Sequence, residues 1–506
     1  MAANGVNKRH KDYDRFSRKW KRVRDVVAGQ DEIHAGGAAY LPMLVDEPDD
    51  EYRKRVARTP FYNATWRTMA AFVGMMFRKP PTLEVPTQLE KLLEDVTMSG
   101  VSFDNFAQDI TLEDVEISRV GVLVDHPQRA RNEDGTIPVI TVADAEANGF
   151  RPSMVMYKAE SILNWDYNFI NNRYVLTQVR LHEIHKERKS EFEYEEYGVI
   201  RVLDLAWGKY RQRLFKEENE EQIGGDIFPL MDGEPLTEIP FYFIGPDGSE
   251  HDLTEPVLID LVDLNIKHYQ VSADYEHGCH MTALPTPVVS GAAQKFDAQQ
   301  NPIEEKLYIG STSAWMLPQG AEANFLEFTG QGLGALEKNL ERKEAQMAAI
   351  GARMLTPEKS GVEAAETVAM RHAGENSILA AIAVAVSQGL TKALIMFAKW
   401  SGLKDASEAT VKYEINRDFM PFPITPQALT SLLSAVQAGK MSHEAFFDLL
   451  KRGDLYESDL DFETEQARID SDPTIPAPVP GVDDGGEGED ENEPKPGQPP
   501  KKEPAK

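Results

Sequence analysis

The sequence predicts an α+β protein in which a mixed N-terminal half is followed by two long helices. Residues 138–245 alternate apolar and polar side chains with the period of β-strands. Residues 255–278 and about 333–355 instead repeat apolar side chains with the period of an α-helix. A chain of 506 residues is long enough for roughly two to four units, each with its own core. We therefore expect several units of different architecture.

The composition is that of a globular chain with a large excess of negative charge. Lys and Arg number 54 against 83 Asp and Glu, so the formal net charge is −29. This charge argues against adhesive nucleic-acid binding, which depends on neutralising phosphates, but it permits a surface past which nucleic acid slides. Because Cys279 is the only cysteine, the sequence indicates a reducing compartment.

No segment of the sequence is predicted to direct export or to span a membrane. The N-terminus lacks the apolar core of a secretory signal. The most apolar run, residues 378–386, is followed by Ser387 and Gln388, which is well short of the ~18 residues that a bilayer requires. We therefore expect a soluble protein that is not exported by a cleaved signal.

Charge is concentrated at both ends of the chain. Residues 8–24 contain nine Lys or Arg and two Asp. They predict a solvated helix or an arm docked on an acidic neighbour, with direct phosphate contact as the alternative. Residues 473–506 are mostly Pro, Gly and acidic side chains, too polar to offset the entropy of ordering, and are predicted to be disordered.

The remaining pattern predicts the order of the elements. Helices are expected over 49–77, divided by Pro60, and around 103–118, followed by a buried strand at 121–127. Towards the C-terminus, a strand at 409–415 precedes two helices at about 425–438 and 442–451.

The segment 255–278 predicts a helix that is covered on two sides. Thr254 is suited to cap it and Pro256 to lie in its first turn. Two apolar rows lie side by side and leave a narrow polar strip of Asp260, Asp263, Lys267, Gln270 and Asp274. The first row is Val262, Ile266, Tyr269 and Ala273, and the second is Leu261, Leu264, His268, Val271 and Tyr275.

The second long helix is separated from the first by a small excursion of loops and strands at 285–332. Its apolar side is predicted to hold Leu336, Leu340, Met347, Ile350 and Met354. A short loop follows at 356–361, and then a helical pattern over 363–400. That pattern is expected to kink at Gly374, Asn376 and Ser377.

Motifs for catalysis or metal binding are weak. His182-Glu183-Ile184-His185 has two histidines three apart in a predicted strand, whereas the zinc motif needs them four apart on a helix. The segment 330–334, GQGLG, does not fit a dinucleotide fingerprint and is interpreted as a flexible joint. The sequence has neither a GxxxxGK[ST] loop nor a GxSxG elbow. The group His268, His277, Cys279 and His280 is predicted to serve a core or interface role.

Several stretches together resemble the portal proteins of tailed bacteriophages, in particular a phage-derived family long filed as a domain of unknown function. The resemblance covers roughly residues 40–465. The stretches that carry it are Tyr40-Leu41-Pro42 with Glu51-Tyr52 and Arg55; PFYNATWRT at 60–68; GMMFRKPP at 74–81; GVLVDHP at 121–127; Glu160-Ser161-Ile162 with Asn164-Trp165; Ile239-Pro240-Phe241; and Asp263-Leu264-Asn265 with His268-Tyr269-Gln270 and Ser272-Ala273-Asp274.

The resemblance implies a portal fold assembled as a ring of about twelve copies at one capsid vertex. It consists of an α+β wing, a long-helix stem, a small α/β clip and a helical crown. Carried onto this chain, the parts are a basic N-terminal arm (1–39), wing (40–257), first stem helix (258–284), clip (285–332), second stem helix (333–356), channel loop (357–362), kinked wing helix (363–403), crown (404–470) and disordered acidic tail (471–506).

The implied function is a channel for packaging and ejecting double-stranded DNA. The implied partners are further copies of the chain, the terminase large subunit, head-completion or adaptor proteins, and the major capsid and scaffolding proteins. The implied location is the virion, with the host cytoplasm during assembly. No enzymatic activity, cofactor, metal or membrane partner is expected.

The resemblance also suggests roles for individual side chains. The expected channel-facing residues are Asp260, Asp263, Lys267, Glu337, Lys338, Glu341, Glu358 and Lys359. The residues expected to pack within the stem or between subunits are Val262, Ile266, Tyr269, Leu336, Leu340 and Met347. An acidic bore would repel phosphates and let the duplex slide, with the lysines as weak, salt-sensitive grips. The alternative for each acid is an ordinary solvated or intersubunit face.

Two other classes of protein stay open. One is a different head-structure component, such as a minor capsid or connector protein. The other is a phage hydrolase that recruits isolated acids of the strand region, such as Asp125, Asp166 and Asp204, although no spacing singles them out.

Overall fold

The computed structural model describes residues 5–127, 149–231, 233–248, 252–283, 286–290, 320, 322–326, 330–353, 377–417, 419, 426–452, 455 and 460–471. These residues form a mixed α+β protein, as the sequence predicts. The chain divides into two compact units, Met1–Met420 and Pro421–Lys506.

The helices of the first unit agree well with the predicted order. The break around Pro60 is confirmed, since one helix ends at Arg58 and the next begins at Ala64. The helices are α1 (Tyr13–Ala28), α2 (Gln30–Gly36), α3 (Asp49–Arg58), α4 (Ala64–Met76), α5 (Thr87–Leu93), α6 (Phe103–Ile117), α7 (Ile259–Ala283), α8 (Leu333–Arg353) and α9 (Ile378–Trp400).

The strands are β1 (Thr82–Glu84), β2 (Val120–Asp125), β3 (Ser153–Lys158), β4 (Ile162–Ile170), β5 (Arg173–Arg188), β6 (Tyr194–Ala206), β7 (Lys209–Lys216), β8 (Gln222–Ile227), β9 (Leu230–Met231), β10 (Glu234–Pro235), β11 (Phe241–Ile244), β12 (Thr286–Ser290), β13 (Glu322–Leu326) and β14 (Lys412–Glu414). Strands β4 to β8 form the predicted antiparallel meander in chain order. A second sheet has the order β11-β2-β3, and β1 pairs with β14, β9 with β10, and β12 with β13.

The basic N-terminal segment is part of the core of the first unit and not a separate arm. Phe16, Trp20 and Val23 of α1 are at most 2% exposed and pack with the rest of the buried cluster. Three cations of α1 pair with acids elsewhere in the chain: Lys19 with Glu255, Arg22 with Asp263 and Arg24 with Glu113. The helix thus docks on acidic neighbours within this chain, and the boundary expected after residue 39 stays a prediction.

Helix α9 packs across the β11-β2-β3 sheet and α6. Gly389 allows its close approach to β11, since a Cβ there would lie 2.4 Å from Cγ1 of Ile244. Within the described part of the chain, α9 is the one helix long and apolar enough to cross a membrane, and 61% of its most apolar window is buried. Its packing is that of a core helix.

Ser387, which follows the most apolar run, lies inside α9 and within the helical pattern predicted over 363–400. The Ser387 hydroxyl donates to the Ala383 carbonyl at 2.6 Å, which keeps the residue inside the helix. The same oxygen accepts the Ile415 amide N–H at 2.9 Å. One turn later, the Thr391 hydroxyl bonds both the N–H and the carbonyl of Tyr413. Two hydroxyls of α9 thus bind the main chain around β14.

We expect the double variant Ser387→Ala/Thr391→Val to lower the free energy of unfolding of the first unit by about 2–4 kcal/mol. The reason is that it leaves main-chain groups of Tyr413 and Ile415 buried without partners, at about 1–3 kcal/mol for each site. Denaturant unfolding of the full chain measures the change. The control is Ser401→Ala, because Ser401 also donates within α9, to Phe397, but binds no strand. Equal losses in the two variants would contradict the explanation.

Strand β14, which lies near the start of the predicted crown, docks on the first unit. β14 pairs with β1, and Tyr413 is 1% exposed with its ring 5.1 Å from that of Phe103. Residues 404–417 therefore belong to the first unit, which ends at Met420.

The second unit contains helices α10 (Pro426–Gln437), α11 (His443–Arg452) and α12 (Phe462–Ser471). The first two confirm the predicted pair, and α12 is an element that the sequence reasoning missed. The rings of Phe447 and Phe462 lie 5.7 Å apart and join α11 to α12. The predicted disordered tail lies outside the described residues from 472 onwards.

Candidate functional site

Helix α7 begins at Ile259, four residues later than the first residue of the predicted segment. Thr254 does not cap it, because its hydroxyl donates to Oδ2 of Asp247 at 2.6 Å. The chain instead enters the helix through Val257, whose N–H donates to the Ser118 hydroxyl at 2.9 Å. The entry is thus fixed by the end of α6.

The predicted polar strip is the exposed face of α7. Asp260, Asp263, Lys267 and Asp274 are exposed and Gln270 is half-buried. The positions beside them on the helix are covered. The fully buried side chains of α7 are Leu261, Val262, Asn265, His268, Tyr269, Val271, Ser272 and Ala273. The expectation of cover on two sides is therefore confirmed.

The cover comes from the same chain, from α1, α3 and α4 on one side and from α8 on the other. Tyr269 is 1% exposed, with its ring 5.8 Å from that of Phe61. Val262 at 0% and Met347 at 3% are likewise buried in the core. Val262, Tyr269 and Met347 are thus buried by their own chain, and a share of these residues in intersubunit packing stays a prediction. The other assigned residues, Ile266, Leu336 and Leu340, are half-buried.

Helices α7 and α8 pair in opposite directions. A Cβ on Gly278 would lie 2.7 Å from Cδ2 of Leu333, so the glycine lets α8 start close to the end of α7. Farther along, Nε2 of His268 lies 3.3 Å from Oε1 of Glu344. Strand β12 follows α7 and β13 precedes α8, and these two strands are paired. The two helices thus bracket a strand-containing excursion, as the sequence predicts.

A buried amide fixes α7 to the start of α4. Oδ1 of Asn265 accepts from the Thr65 amide N–H at 3.1 Å and from its hydroxyl at 3.0 Å. The side-chain amide of Asn265 donates to the Tyr62 carbonyl at 2.8 Å. Because Asn265 is 0% exposed, these bonds set the rotation of α7 and thereby the direction of its polar strip.

The polar strip is not uniformly free. Asp263 forms an ion pair with Nε of Arg22 on α1 at 3.2 Å. Burial raises the pKa of Asp263. The positive charge of Arg22 acts to lower this pKa, whereas the negative charge of Asp260 acts to raise it further. The Lys267 ammonium donates to the Gln270 side chain at 3.0 Å. Asp260 and Asp274 are the strip's acids that form no ion pair among the described residues.

On α8 the predicted channel-facing residues Glu337, Lys338 and Glu341 are exposed. The interior of the helix pair holds two titratable groups. Burial lowers the pKa of Lys343, and the charges of Arg342 and Lys267 act in the same direction. Burial also lowers the pKa of His268, against the raising effect of Glu344.

Several predicted features lie outside the described residues. These are the channel loop at 357–362 with Glu358 and Lys359, and the kink positions Gly374 and Asn376. Ser377 is described, and its hydroxyl accepts the Ala380 N–H at 3.2 Å, so it caps the start of α9.

The candidate chemical motifs are held in structural bonds. Glu183 lies on β5, where it binds Nε of Arg201 at 2.6 Å and the Tyr157 hydroxyl at 2.5 Å. Within the described ranges, no group of three or more His, Cys, Asp or Glu is placed to hold a metal.

The isolated acids of the strand region are not brought together. Asp125 accepts from Gln212, whereas Asp204 is bound by Arg211 and Arg213. Because neighbouring residues of a strand face opposite ways, Asp125 and Asp204 lie on opposite sides of β7. Asp166 accepts from Thr177 on the neighbouring strand.

Sequence reasoning missed Arg22 as the partner of Asp263. The two residues are far apart in the chain, and no local pattern links a cation of α1 to the strip. Asn265 gave a signal, since it is a polar side chain between two apolar rows of one helix.

A family model described as "Domain of unknown function (DUF4055)" matches residues 257–401, the stretch that contains α7, α8 and α9. None of the curated proteins matches the chain.

Among solved structures, the chain is similar to the neck of an empty GTA particle computed with C6 symmetry, at 11% identity and a TM-score of 0.37, covering 82% of this chain and 96% of that one. The neck of a native GTA particle computed with C12 symmetry matches at 12% identity and a TM-score of 0.37, covering 84% and 98%. The virion of a native gene transfer agent particle matches at 11% and 0.37, covering 84% and 99%.

Proposed function

We propose that this protein is a structural component of a phage-like head or neck, and specifically its portal, the ring through which double-stranded DNA enters and leaves. The observation that supports this best is the antiparallel pair of α7 and α8, which is covered on two sides and exposes an acidic strip. From 25 and 21 residues, the two helices are about 37 and 31 Å long. Such a pair can line a deep channel when copies are placed around an axis.

The charge of the strip suits transport better than retention. Phosphates that approach Asp260, Asp274, Glu337 or Glu341 are repelled, which shortens their residence at the wall. Lys267 and Lys338 supply isolated positive charges whose grip weakens with salt. In this proposal the clip, at residues 285–332, meets the terminase large subunit during packaging and head-completion or adaptor proteins afterwards. The wing meets the major capsid and scaffolding proteins. The chain itself performs no catalysis.

The first test is the assembly state of the purified full chain, by negative-stain imaging together with mass measurement. We expect annular particles of about twelve copies with a central hole. A compact monomer that never forms rings would overturn the portal assignment and favour another head-structure component.

The second test reverses charge on the strip. The variant carries Asp260→Lys, Asp274→Lys, Glu337→Lys and Glu341→Lys. We expect its rings to bind duplex DNA at least about tenfold more tightly than wild-type rings at low salt, with a steeper salt dependence. We also expect them to package DNA more slowly. Asp263 is left unchanged because it pairs with Arg22. DNA binding is measured by gel shift across a salt series.

The matched control carries the same change in charge at exposed acids of the strand region, Glu191→Lys/Glu193→Lys/Glu218→Lys/Glu238→Lys. We expect its rings to retain DNA less tightly than those of the strip variant. If strip and control variants bind and package DNA equally, the sliding role of the strip is refuted.

A further inference from the structure

A short loop before α3 exposes three apolar side chains in succession. Met43 is 42% exposed, Leu44 47% and Val45 93%. We call these three residues the apolar tip. Isolated exposed apolar residues are ordinary. Three consecutive ones on a loop form a contiguous apolar patch whose exposure to water is unfavourable. Of the three, Val45 is almost fully exposed to solvent in the described fold.

A buried ion pair holds the loop beneath the tip. Arg55 is 3% exposed, and its guanidinium donates to both carboxylate oxygens of Glu47 at 2.7 and 2.8 Å. It also donates to the Pro42 carbonyl at 2.9 Å, while Glu47 accepts the Leu44 N–H at 2.9 Å. The hydrogen bonds from Arg55 hold the pKa of Glu47 below its usual range. One bidentate pair therefore binds the loop on both sides of the tip.

Three further bonds anchor the residues that lead into the loop. The Tyr52 hydroxyl on α3 donates to the Leu41 carbonyl at 2.9 Å. The Gln270 amide on α7 donates to the Tyr40 carbonyl at 2.9 Å. The Tyr40 hydroxyl in turn donates to Asp25 of α1 at 2.6 Å. Three helices thus fix the backbone that carries the tip.

This arrangement gives a structural reason for one stretch of the family resemblance. Tyr40, Leu41 and Pro42, together with Tyr52 and Arg55, build the support and leave the tip free. A loop fixed in advance loses little conformational entropy when it binds, which favours affinity at an interface. Desolvation of two charges offsets much of the stability that a buried ion pair gives to a fold. We therefore interpret this pair, which lies under an exposed apolar loop, as holding the loop in place for binding.

The charges around the tip indicate what it contacts. Asp49, Asp50 and Glu51 begin α3, are separated from the tip by residues 46–48, and are exposed. We call them the acidic rim. Lys54 pairs with Asp50 and Glu51 and neutralises them only in part. A phosphate backbone is repelled by such a rim, whereas a basic protein surface is attracted to it.

The chain itself carries a basic surface of this kind. Exposed cations line the start of α1 and the turn before it, and we call them the basic face: Lys8, Lys11, Arg15 and Arg18. Lys8 and Lys11 form no ion pair with any described side chain, and Arg18 donates only to the Asp14 carbonyl. In a protein with a net charge of −29, this is a marked concentration of positive charge.

We propose that the apolar tip and acidic rim of one copy dock on the basic face of α1 in a second copy. Because the two surfaces differ, the contact is head-to-tail, and a head-to-tail contact closes into a ring when the rotation between copies permits. The inference rests on the proposed ring function and names the residues that would join its subunits.

The test measures self-association of the full chain by light scattering and mass photometry across concentration. We expect Met43→Ser/Leu44→Ser/Val45→Ser to weaken association by roughly tenfold or more, as loss of a central apolar contact does. The control is Phe192→Ser/Trp207→Ser. These residues are 88% and 87% exposed on hairpin turns of the large sheet, and their replacement is expected to leave association unchanged. Since all five positions are exposed, the thermal unfolding midpoint reports that each variant folds.

Charge reversal identifies the partner surface. Asp49→Lys/Asp50→Lys and, separately, Lys11→Glu/Arg15→Glu are each expected to weaken association to a similar degree. The chain that carries all four substitutions is expected to recover most of it, because the attraction is restored with opposite sign. Duplex DNA binding of the basic-face variant is measured in parallel.

The outcomes separate this inference from the proposed function. If the tip and charge variants form rings as well as the wild type does, the inference is overturned and the portal proposal stands. If the oligomers depend on the apolar tip but have no central hole, the portal proposal is overturned and the docking contact stands. A wild-type monomer at every concentration would overturn both. The docking would also be overturned if the chain with all four charge substitutions failed to associate and Lys11→Glu/Arg15→Glu lost DNA binding. That result would assign the basic face to nucleic acid.

Discussion

Replacing Arg24 by alanine is expected to lower the free energy of unfolding of the first unit by about 3–5 kcal/mol. The Arg24 guanidinium binds Glu113, and it reaches Glu116 at 2.8 Å and Glu160 at 3.0 Å. The side chains of Glu113 and Glu116 are only 4% and 10% exposed. Without the cation, these carboxylates stay buried close together with little to compensate their charge. Denaturant unfolding followed by circular dichroism measures the loss.

The pH dependence of the Arg24→Ala variant gives an independent check. Burial already raises the pKa of Glu116, and the Arg24 charge opposes that rise. Once Arg24 is removed, the folded-state pKa of Glu116 moves farther above its unfolded value of about 4.3. The folded state then binds more protons than the unfolded state in that window, so stability falls as pH rises through it. We therefore expect the deficit relative to the wild type to shrink as pH falls from 7 towards 5.

The control for this prediction is Arg18→Ala on the same helix. Arg18 is exposed and donates to a main-chain carbonyl, so the change is expected to cost less than about 0.5 kcal/mol. A loss for Arg24→Ala within that range, or a deficit that does not vary with pH, would contradict the role of the carboxylate cluster.

The second large effect is expected for Asn265→Ala, at about 3–5 kcal/mol. The substitution leaves the Thr65 N–H, the Thr65 hydroxyl and the Tyr62 carbonyl without their partner and opens a small cavity between α4 and α7. Hydrogen exchange of the α7 amides is expected to accelerate along with the loss of stability, because the helix loses the bonds that fix its rotation.

Lys267→Ala is the matched control for Asn265→Ala. It lies on the exposed strip of the same helix and loses a single bond to Gln270. We expect little change in stability and unchanged exchange of α7. Should both variants exchange alike, Asn265 would have no special part in orienting the strip.

The sequence predicted features that depend on local periodicity. The strip of Asp260, Asp263 and Lys267 was found because an α-helix places residues three, four and seven apart on one side, whatever packs against it. The meander of strands was found for the same kind of reason, since alternation is a local property. Helix limits were accurate around Pro60 but not at Pro256, since α7 begins at Ile259.

The identity of the packing partners could not be found in this way. The sequence pattern places Tyr269 on an apolar side of the helix. That pattern is the same whether the side chain packs against α2 and the residues before α4 or against another molecule. Arg22 and Asp263 are brought together only by the tertiary fold. Ser387 and Gln388 mark the end of the most apolar run in the sequence, whereas the bond between Ser387 and the distant Ile415 has no signal in the neighbouring sequence.

The pairing of β1 with β14 has a consequence for synthesis. Leu83 lies opposite Tyr413, so the first unit cannot close until a strand more than 300 residues downstream has left the ribosome. At roughly 5–20 residues per second, that interval lasts about 15–70 s. During it, the surfaces of α6 that later meet α9 and β14 remain open on the nascent chain. Chaperone dependence is therefore expected to depend on how fast the ribosome reaches the codons of β14, and slow translation of the middle of the message is expected to increase aggregation.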